Sequence, residues 1–496
     1  MNLEPIIGLE IHVQLKTKSK MFCSCANVVT GDAVPRGEQG ELYGVEPNSA
    51  ICPICLGYPG TLPVPNKTAI AWTQKVGAAL NCELALRSKF DRKSYFYPDL
   101  PKAYQISQFD QPFCGQGELS GIGITRIHLE EDAAKNTHVN GAALIDFNRA
   151  GTPLIEIVTE PDISSPEQAK SFLQDLQKIM RALDISDADM EKGQLRCDAN
   201  ISLREKGMSG LNPKTEIKNL NSFKFVAKAL DYEIERQTKE HEAGNVPGHA
   251  TRGFDSTKGK TYEQRTKEEA ADYRYFPEPD IPPFVFSEAE LAAIRVSLPE
   301  LPTAKRDRLS QQTGVSEQAA QILADNKELS YFFEAAVSEI QQQDNEQVGI
   351  LPSEQPELVK IATNLILRDV RQLMSASNLK FADLKITPEN FAELVVLIHQ
   401  GKLGKDASPQ MLDEMQRTGG DPDPIMANLG LEQVSNTGQL ETWVDQVIAG
   451  NVDIIAKIKG GKDSALQFLM GQVMAKSGGK ADPKKVVEIL RRKILE

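Results

Sequence analysis

The chain has 496 residues, 40% of them hydrophobic and 25% charged, with a formal net charge of −13. This length excludes a single small core and predicts two to four domains of ordinary globular composition. The negative charge argues against indiscriminate binding to polyanions, and no apolar run approaches the roughly 20 residues that a membrane span needs. Because no basic leader precedes an apolar segment, we expect no membrane association and a cytoplasmic location, or an organellar one after loss of a transit peptide.

The first predicted element is a strand with two different faces. In IIGLEIHVQL, residues 6–15, apolar side chains occupy the odd positions from Ile7 onward, and the even positions include Glu10, His12 and Gln14. Successive side chains of a strand point to opposite faces, so the apolar face is predicted to join the core. The polar face is either simply exposed to water or part of a site.

Four cysteines follow in two short pairs, Cys23 with Cys25 and Cys52 with Cys55. These C-x-C and C-x-x-C spacings suit a tetrahedral Zn²⁺, whose bonds to sulfur are about 2.3 Å long. A zinc ion with four sulfur ligands has no open position, so its predicted role is structural, and four unrelated thiols are the alternative. The remaining cysteines are expected to be small buried residues, namely Cys82, Cys114 and Cys197.

Acidic residues interrupt several of the next predicted strands. Glu130 and Glu131 lie in RIHLEEDAAK, Asp146 lies in LIDFNRAG, and Glu156 lies in PLIEIV. An unpaired carboxylate in a packed face is costly, so these acids indicate either a wet strand face or a bound cation. Clustered carboxylates suit Mg²⁺ that holds a nucleotide, and their recurrence on several strands favours the cation.

Later segments complete the predicted architecture. Alternation returns in LRCDANISLR, residues 195–204, and helical patterns dominate from about residue 300, as in 316–337 and 356–374. Near the C-terminus, Asp482 and Pro483 are expected to cap and open the last helix. Because the strands cluster without a regular βαβ rhythm, we predict an α+β fold with a large, mostly antiparallel sheet followed by an all-α region with a C-terminal tail domain.

Several long phrases run along the chain: IGLEIHVQL, MFCSCAN, KSYFYPDLPKAYQISQ, HLEEDAAK, FNRAGTPLIEIVTEPD, GQLRCDANISLR, TEIKNLNSFKFV, DYRYFPEPDIPP and FLMGQVMAKSGGKADPKKVVEILRRKIL. Together they closely resemble the B subunit of the aspartyl/glutamyl-tRNA amidotransferases. The resemblance covers essentially the whole chain. It implies a catalytic cradle domain with zinc knuckles at residues 1–294, a helical domain at 295–410, and a tRNA-binding tail at 411–496.

The resemblance also implies a reaction. An enzyme of this family uses ATP to phosphorylate the side-chain carboxylate of Glu-tRNA(Gln) or Asp-tRNA(Asn), and ammonia then displaces the phosphate to give Gln-tRNA(Gln) or Asn-tRNA(Asn). The implied partners are the A subunit, which is a glutaminase that releases ammonia from glutamine, and the small C subunit. The implied cofactors are ATP, Mg²⁺ and structural Zn²⁺.

Site residues follow from the matching motifs. The resemblance implies a catalytic and Mg²⁺-binding group formed by Glu10, His12, Glu131 and Glu156, with Asp198 as a further catalytic residue. Glu130 competes with Glu131, because adjacent strand residues face opposite ways. Arg196 and Asn200 are candidates to bind the nucleotide or the aminoacyl end, and a surface ion pair between Arg196 and Asp198 is the alternative.

The C-terminal tail is locally basic. From residue 475 to 496, seven basic residues stand against three acidic ones. A basic run is usually a solvated helix face, but beside this resemblance tRNA contact is the favoured interpretation. The candidate tRNA-binding residues are Lys476, Lys480, Lys484, Lys485, Arg491 and Arg492.

Two other functions stay open at this point. One is a non-catalytic scaffold that binds tRNA within a complex, and the other is a free-standing ATP-dependent ligase of another class. Carboxylates on buried strands favour an enzyme, because a scaffold has no need of them.

Overall fold

The structure, a computed structural model, describes residues 2–28, 45–266, 272–342, 351–433, 437–451, 454–455, 458 and 464–495. The chain divides into two compact units, residues 1–301 and 302–496. The first unit contains the strands and the second is helical, which confirms the predicted α+β class.

The described part of the first unit is built from strands with four helices among them. The strands are β1 (Leu3–Gln14), β2 (Arg87–Ser88), β3 (Asp91–Ser94), β4 (Tyr104–Ser107), β5 (Gly117–Leu119), β6 (Ile122–Glu131), β7 (Lys135–Val139), β8 (Ala142–Asp146), β9 (Pro153–Thr159), β10 (Leu195–Glu205), β11 (Thr215–Leu220), β12 (Ala250–Asp255), β13 (Lys260–Thr266), β14 (Phe276–Pro277) and β15 (Phe284–Val285). The helices are α1 (Lys67–Ala79), α2 (Pro166–Ala182), α3 (Phe223–Glu242) and α4 (Glu288–Val296). The hydroxyls of Ser165 and Ser222 accept backbone hydrogen bonds at the starts of α2 and α3, which satisfies N–H groups that lack helical partners.

Eight strands form one sheet in the order β13-β12-β11-β10-β1-β9-β6-β5. Every neighbouring pair is antiparallel except β11 with β12, so the prediction of a mostly antiparallel sheet is confirmed. The strand expected at residues 142–147 forms as β8, but it pairs with β7 in a separate two-stranded sheet.

The apolar face of β1 lies in the core of the first unit, as its alternation predicts. Ile7, Leu9, Ile11 and Val13 are at most 1% exposed and pack with the apolar residues of β9, β10 and α2. Full burial of such side chains contributes about 1.5–3 kcal/mol each. The opposite face of β1 is therefore held in place by a well-packed core.

A buried carboxylate joins α3 to the sheet. Glu233 is fully buried, and its oxygens lie 2.8 Å from Arg236 Nη2 and 3.0 Å from Arg252 Nε. The Thr261 hydroxyl also donates a hydrogen bond to Glu233. Burial opposes the charged form, but the hydrogen bond from Arg236 and the other partners outweigh it and lower the pKa of Glu233.

Glu233→Gln is expected to destabilise the chain by about 3 kcal/mol, because two largely buried guanidinium groups lose their anion. Since folding lowers the pKa, the stabilisation in the wild type should be complete above the ordinary Glu pKa of about 4.3 and be lost as the pH falls below it. Urea unfolding of the full chain at pH 7 and at a series of pH values that descends from the ordinary Glu pKa of about 4.3 measures both effects. Glu235→Gln, on the exposed side of the same helix, is the control, and equal stability of the two variants would contradict this role.

The second unit consists of helices in the part of the chain that is described. They are α5 (Pro302–Thr313), α6 (Glu317–Ala324), α7 (Lys327–Gln342), α8 (Gln355–Leu365), α9 (Arg371–Ala376), α10 (Pro388–His399), α11 (Ser408–Thr418), α12 (Pro422–Leu429), α13 (Thr437–Ala449), α14 (Ser464–Lys476) and α15 (Pro483–Leu495). The helix predicted at 316–337 is divided between α6 and α7, and a π-helical turn, Ile366–Val370, joins α8 to α9. Asp482 accepts a hydrogen bond from the Lys484 N–H at 2.9 Å, so the expected cap of α15 is confirmed.

These helices bury two separate apolar cores. One contains buried residues from Leu309 to Met426, and the other contains buried residues from Leu440 to Ile494. Helices α11 and α12 belong to the first core, because Met415 and Ile425 are buried in it. No described helix is long and apolar enough to cross a lipid bilayer.

Candidate functional site

Two rows of side chains cross the polar face of the central strands. The first row consists of His128 on β6, Glu156 on β9, His12 on β1 and Arg196 on β10, and the second of Arg126, Val158, Glu10 and Asp198 on the same strands. Directly opposed residues share a face, with Cβ atoms about 4.5–5.5 Å apart. The alternation of β1 thus places Glu10 and His12 beside the acids of β9 and β10.

Glu156 lies at the centre of this face. Its Oε2 atom is 3.2 Å from His128 Nε2 and 3.3 Å from His12 Nε2, while Glu130 Oε1 is 3.7 Å from His12 Nε2. Ligand atoms of Glu10, His12 and Glu156 all lie within 4.8 Å of one another, and so do those of His128, Glu130 and Glu156. The structure therefore offers two overlapping groups of potential metal ligands that share Glu156.

The protonation states of this face are strongly coupled. Burial and the charge of Glu156 raise the pKa of Glu10. Burial disfavours the charged forms of both Glu156 and His128, yet their mutual attraction prevails, lowering the pKa of Glu156 well below its usual range and raising that of His128 to about 9. A divalent cation can take the place of these bound protons, because metal ligands bind in their deprotonated forms.

The structure does not bring Glu131 together with Glu10, His12 and Glu156. Glu131 follows Glu130 directly and faces the other side of β6, where its Oε1 atom lies 2.6 Å from Lys102 Nζ and accepts a hydrogen bond from the Ile106 N–H. The competitor Glu130 is the residue that joins the group around Glu156. The reason is the pleat, which sends adjacent side chains to opposite faces.

The three candidate site residues of β10 have different surroundings. Arg196 Nη2 lies 2.7 Å from Asp132 Oδ2, and Asp198 Oδ2 lies 2.5 Å from Lys218 Nζ. Arg196 and Asp198 therefore do not form an ion pair with each other. Arg196 pairs with Asp132, which follows β6, and Asp198 pairs with Lys218 on β11. Asn200 Oδ1 is buried and has no hydrogen-bond partner in the described structure.

Sequence reasoning did not single out His128, Asp132 or Lys218. Asp132 is 4% exposed, and although burial opposes its charge, Arg196 and Arg149 lower its pKa to about 2. The signal was present in RIHLEED, where His128 alternates with Glu130, and in TEIKNL, which carries Lys218. Asp146, by contrast, lies on β8 outside the large sheet and accepts hydrogen bonds from the backbone of Asn48 and Asn148.

The four paired cysteines converge. The sulfur atoms all lie within 4.8 Å of one another in the group of Cys23, Cys25, Cys52 and Cys55. The Cys52 N–H donates a hydrogen bond to Cys55 Sγ at 3.1 Å, and a hydrogen bond from Cys23 is the main cause that lowers the pKa of Cys55 to about 5. Four converging sulfurs with a stabilised thiolate fit the donor preference of zinc. As expected, the other three cysteines are buried.

The cysteine loop packs against the Lys102–Glu131 pair. Gly57 has φ +66°, and a Cβ atom there would lie 2.5 Å from Lys102 Cγ, so this turn requires glycine. Cys23, Cys55, Lys102 and Glu131 are among the residues that line a cleft of about 220 Å³. The sulfur cluster thus fixes a loop beside the end of β6.

The six basic residues predicted in the tail are all exposed. Lys476 ends α14, Lys480 precedes α15, and the other four lie on α15. Arg492 forms an ion pair with Glu441, and the neighbouring Lys493 lies 2.6 Å from Asp445. Part of the positive charge near the C-terminus is therefore paired within the tail.

Comparisons with known proteins agree over the full length. Residues 5–292 match the family described as GatB/GatE catalytic domain, and residues 353–494 match the family described as GatB domain. The chain is 44% identical over 503 residues to the B subunit of the aspartyl/glutamyl-tRNA(Asn/Gln) amidotransferase of Geobacillus kaustophilus, a match that covers 100% of this chain and 99% of the relative. It is 43% identical over 499 residues to the protein of the same name from Persephonella marina, covering 99% of both.

Proposed function

Since the chain belongs to the family of aspartyl/glutamyl-tRNA(Asn/Gln) amidotransferase B subunits, we propose that its sheet face activates the side-chain carboxylate of Glu-tRNA(Gln) or Asp-tRNA(Asn). ATP phosphorylates this carboxylate, and ammonia then displaces the phosphate to form the amide. The observation that carries the proposal is the convergence of Glu10, His12 and Glu156 from two neighbouring strands.

The chemistry explains why carboxylates that can hold a cation are needed on this face. The substrate's own carboxylate oxygen is a poor leaving group, whereas the phosphate of an acyl phosphate is a good one, so a phosphoryl group must first be transferred. Mg²⁺, when bound, would neutralise charge on the transferring phosphoryl group. Glu10, His12 and Glu156, with Glu130 beside them, are the residues that we propose to hold it.

The remaining residues of the face orient these ligands and the substrate. His128 donates to Glu156 from the far side, which fixes the carboxylate between two imidazoles. Asp198, held by Lys218 and directly opposite Glu10, is proposed as a further catalytic residue. Arg196 and Asn200 are proposed to contact the nucleotide or the aminoacyl end.

We propose that the chain works in a heterotrimer with the A and C subunits of the same enzyme. The A subunit would hydrolyse glutamine and supply the ammonia, because the chain offers no nucleophile motif for that step. The Cys23, Cys25, Cys52 and Cys55 cluster is proposed to hold structural zinc. As an enzyme of translation, the complex would act in the cytoplasm or in an organelle.

Reconstitution tests this function directly. The complex with the wild-type chain is given Glu-tRNA(Gln), ATP, Mg²⁺ and ammonium in place of glutamine. Formation of Gln-tRNA(Gln) and ADP is the expected result. If the chain bound the tRNA but the other two proteins of the complex performed the amidation without it, the scaffold alternative would hold instead.

Deleting the chain after Gln433 is expected to weaken tRNA binding by about tenfold or more, because several phosphate contacts are lost. The cut is placed there because α11 and α12 belong to the preceding core. Glutaminase activity of the complex should be unchanged. Binding is measured at several salt concentrations.

A milder variant separates charge from fold. Lys480→Gln with Lys484→Gln should reduce the salt dependence of tRNA binding by about two counterions, and Lys385→Gln with Lys402→Gln, outside the tail, is the matched control. If the chain that ends at Gln433 bound tRNA with unchanged affinity, the tail would have no role in tRNA recognition.

A further inference from the structure

A completely buried lysine lies beside the cysteine cluster. Lys20 follows β1 and precedes the first cysteine pair, and none of its surface is exposed. Lysine is almost never fully buried unless its charge has a partner. The mechanism proposed above gives Lys20 no role, so its burial requires another explanation.

The amino group of Lys20 has one oxygen and one sulfur as neighbours. Its Nζ atom lies 3.3 Å from the Phe147 carbonyl oxygen and 3.9 Å from Cys55 Sγ. No carboxylate forms an ion pair with Lys20 in the part of the chain that the structure describes. A buried ammonium group without an anion is costly. Because a carbonyl carries no charge, the sulfur of Cys55 is the group that can supply the missing anion.

The backbone fixes Lys20 in this position. Its N–H donates a hydrogen bond to the Cys25 carbonyl oxygen at 3.0 Å, so the residue belongs to the loop of the first cysteine pair while its side chain reaches the second pair. Gly151 packs on the side-chain stem, since a Cβ atom there would lie 3.6 Å from Lys20 Cδ and 3.8 Å from Cys55 Cβ. The ammonium group is therefore held next to the cluster from both sides.

The charge of a four-sulfur zinc site gives this cation a purpose. Zn²⁺ with four thiolates has a net charge of about −2, which is unfavourable in a buried position unless donors or cations offset it. Cys55 Sγ already accepts a hydrogen bond from the Cys52 N–H at 3.1 Å. Groups that contact the ligands of a metal, without touching the metal, typically contribute about 10- to 100-fold to its affinity.

We propose that Lys20 is the charge partner of the zinc site, and that its ammonium group donates to Cys55 Sγ and offsets part of the negative charge of the zinc–thiolate group. The inference rests on the zinc site proposed above and adds a residue that is not a ligand. Lys20 faces at most one thiolate when zinc is removed, and the full charge of the site when zinc is bound. Its contribution should therefore depend on the metal.

Lys20→Met tests this role, because it keeps an unbranched apolar side chain but removes the charge and the donor. The full-length variant is expected to bind zinc about 10- to 100-fold more weakly than the wild type in competition with a chelator. The zinc-dependent part of the free energy of unfolding should fall by the same factor, about 1.4–2.8 kcal/mol. Visible absorption of the Co²⁺-substituted chain should show that all four sulfurs still bind.

Two further variants separate charge from packing. Lys18→Met makes the same change two residues earlier, at an exposed position, and should bind zinc as the wild type does. Lys20→Gln keeps an N–H donor but has no charge, so its zinc affinity is expected between those of the wild type and Lys20→Met.

The proposal is overturned if Lys20→Met binds zinc as tightly as the wild type. An equal loss of stability with and without zinc would assign Lys20 a purely structural role through the Phe147 carbonyl, and so would failure of both Lys20 variants to fold in excess zinc. Those results leave the zinc site intact, provided that the wild type holds zinc and the chain with serine at positions 52 and 55 does not. A wild-type chain without zinc would contradict the proposed zinc site as well.

Discussion

Glu156→Gln is expected to lower the rate of Gln-tRNA(Gln) formation from ammonium by about two to three orders of magnitude in the reconstituted complex. The amide keeps the size of the side chain but removes the charge that holds His12 and His128 within 3.3 Å and completes both ligand groups. Calorimetric titration of Mg²⁺ should show weakened binding in parallel. Glutaminase activity of the complex should be unchanged, because we propose that glutamine is hydrolysed by the A subunit.

The control for this variant is Glu118→Gln, which makes the same chemical change at an exposed position of β5. Unfolding curves identify any loss of structure, since two imidazoles lose a buried anion. If folded Glu156→Gln formed Gln-tRNA(Gln) at the wild-type rate, the metal-site assignment would be wrong.

Replacing Cys52 and Cys55 with serine is expected to abolish zinc binding and to cause a large loss of stability. Structural zinc sites bind with apparent free energies of about 10–16 kcal/mol at neutral pH, and that energy contributes to folding. Metal analysis and thermal unfolding of the full chain measure the two effects. Residual catalytic turnover per folded molecule should be close to that of the wild type, because a four-sulfur site has no open position.

Cys82→Ala is the matched control, because Cys82 is fully buried but outside the sulfur cluster. It should retain zinc. Zinc retained at the wild-type level in the Cys52 and Cys55 variant would show that these sulfurs are not ligands. A folded, zinc-free variant that lost only the phosphorylation step would instead assign the metal a catalytic role.

Local periodicity was sufficient to predict the elements that form the centre of the first unit. The alternation around Glu10 and His12 correctly predicted which side of β1 is buried, because a strand has a period of two whatever its neighbours are. The same alternation predicted β10, and the capping preference of Asp before Pro predicted the start of α15 at Asp482. Helical period alone did not reveal the break between α6 and α7, because both segments carry the same apolar spacing.

The sequence did not show which side chains meet or which strands pair with each other. Alternation showed that Glu130 and Glu131 face opposite ways. Only the register of β6 against β9, which pairs His128 with Glu156, decided that Glu130 lies on the same face as Glu156 and that Glu131 contacts Lys102 on the other. In the same way, β8 was predicted as a strand, and only the fold showed that it pairs outside the large sheet.

The sequence by itself determined the central strands β1 and β10, the cysteine pairs of the sulfur cluster and the family, because these depend on residue type and spacing within short segments. The tertiary structure decided which ions pair and that Glu156 lies between His12 and His128. The physical reason is that strand order and register set these distances, and both are fixed by contacts between segments far apart in the chain.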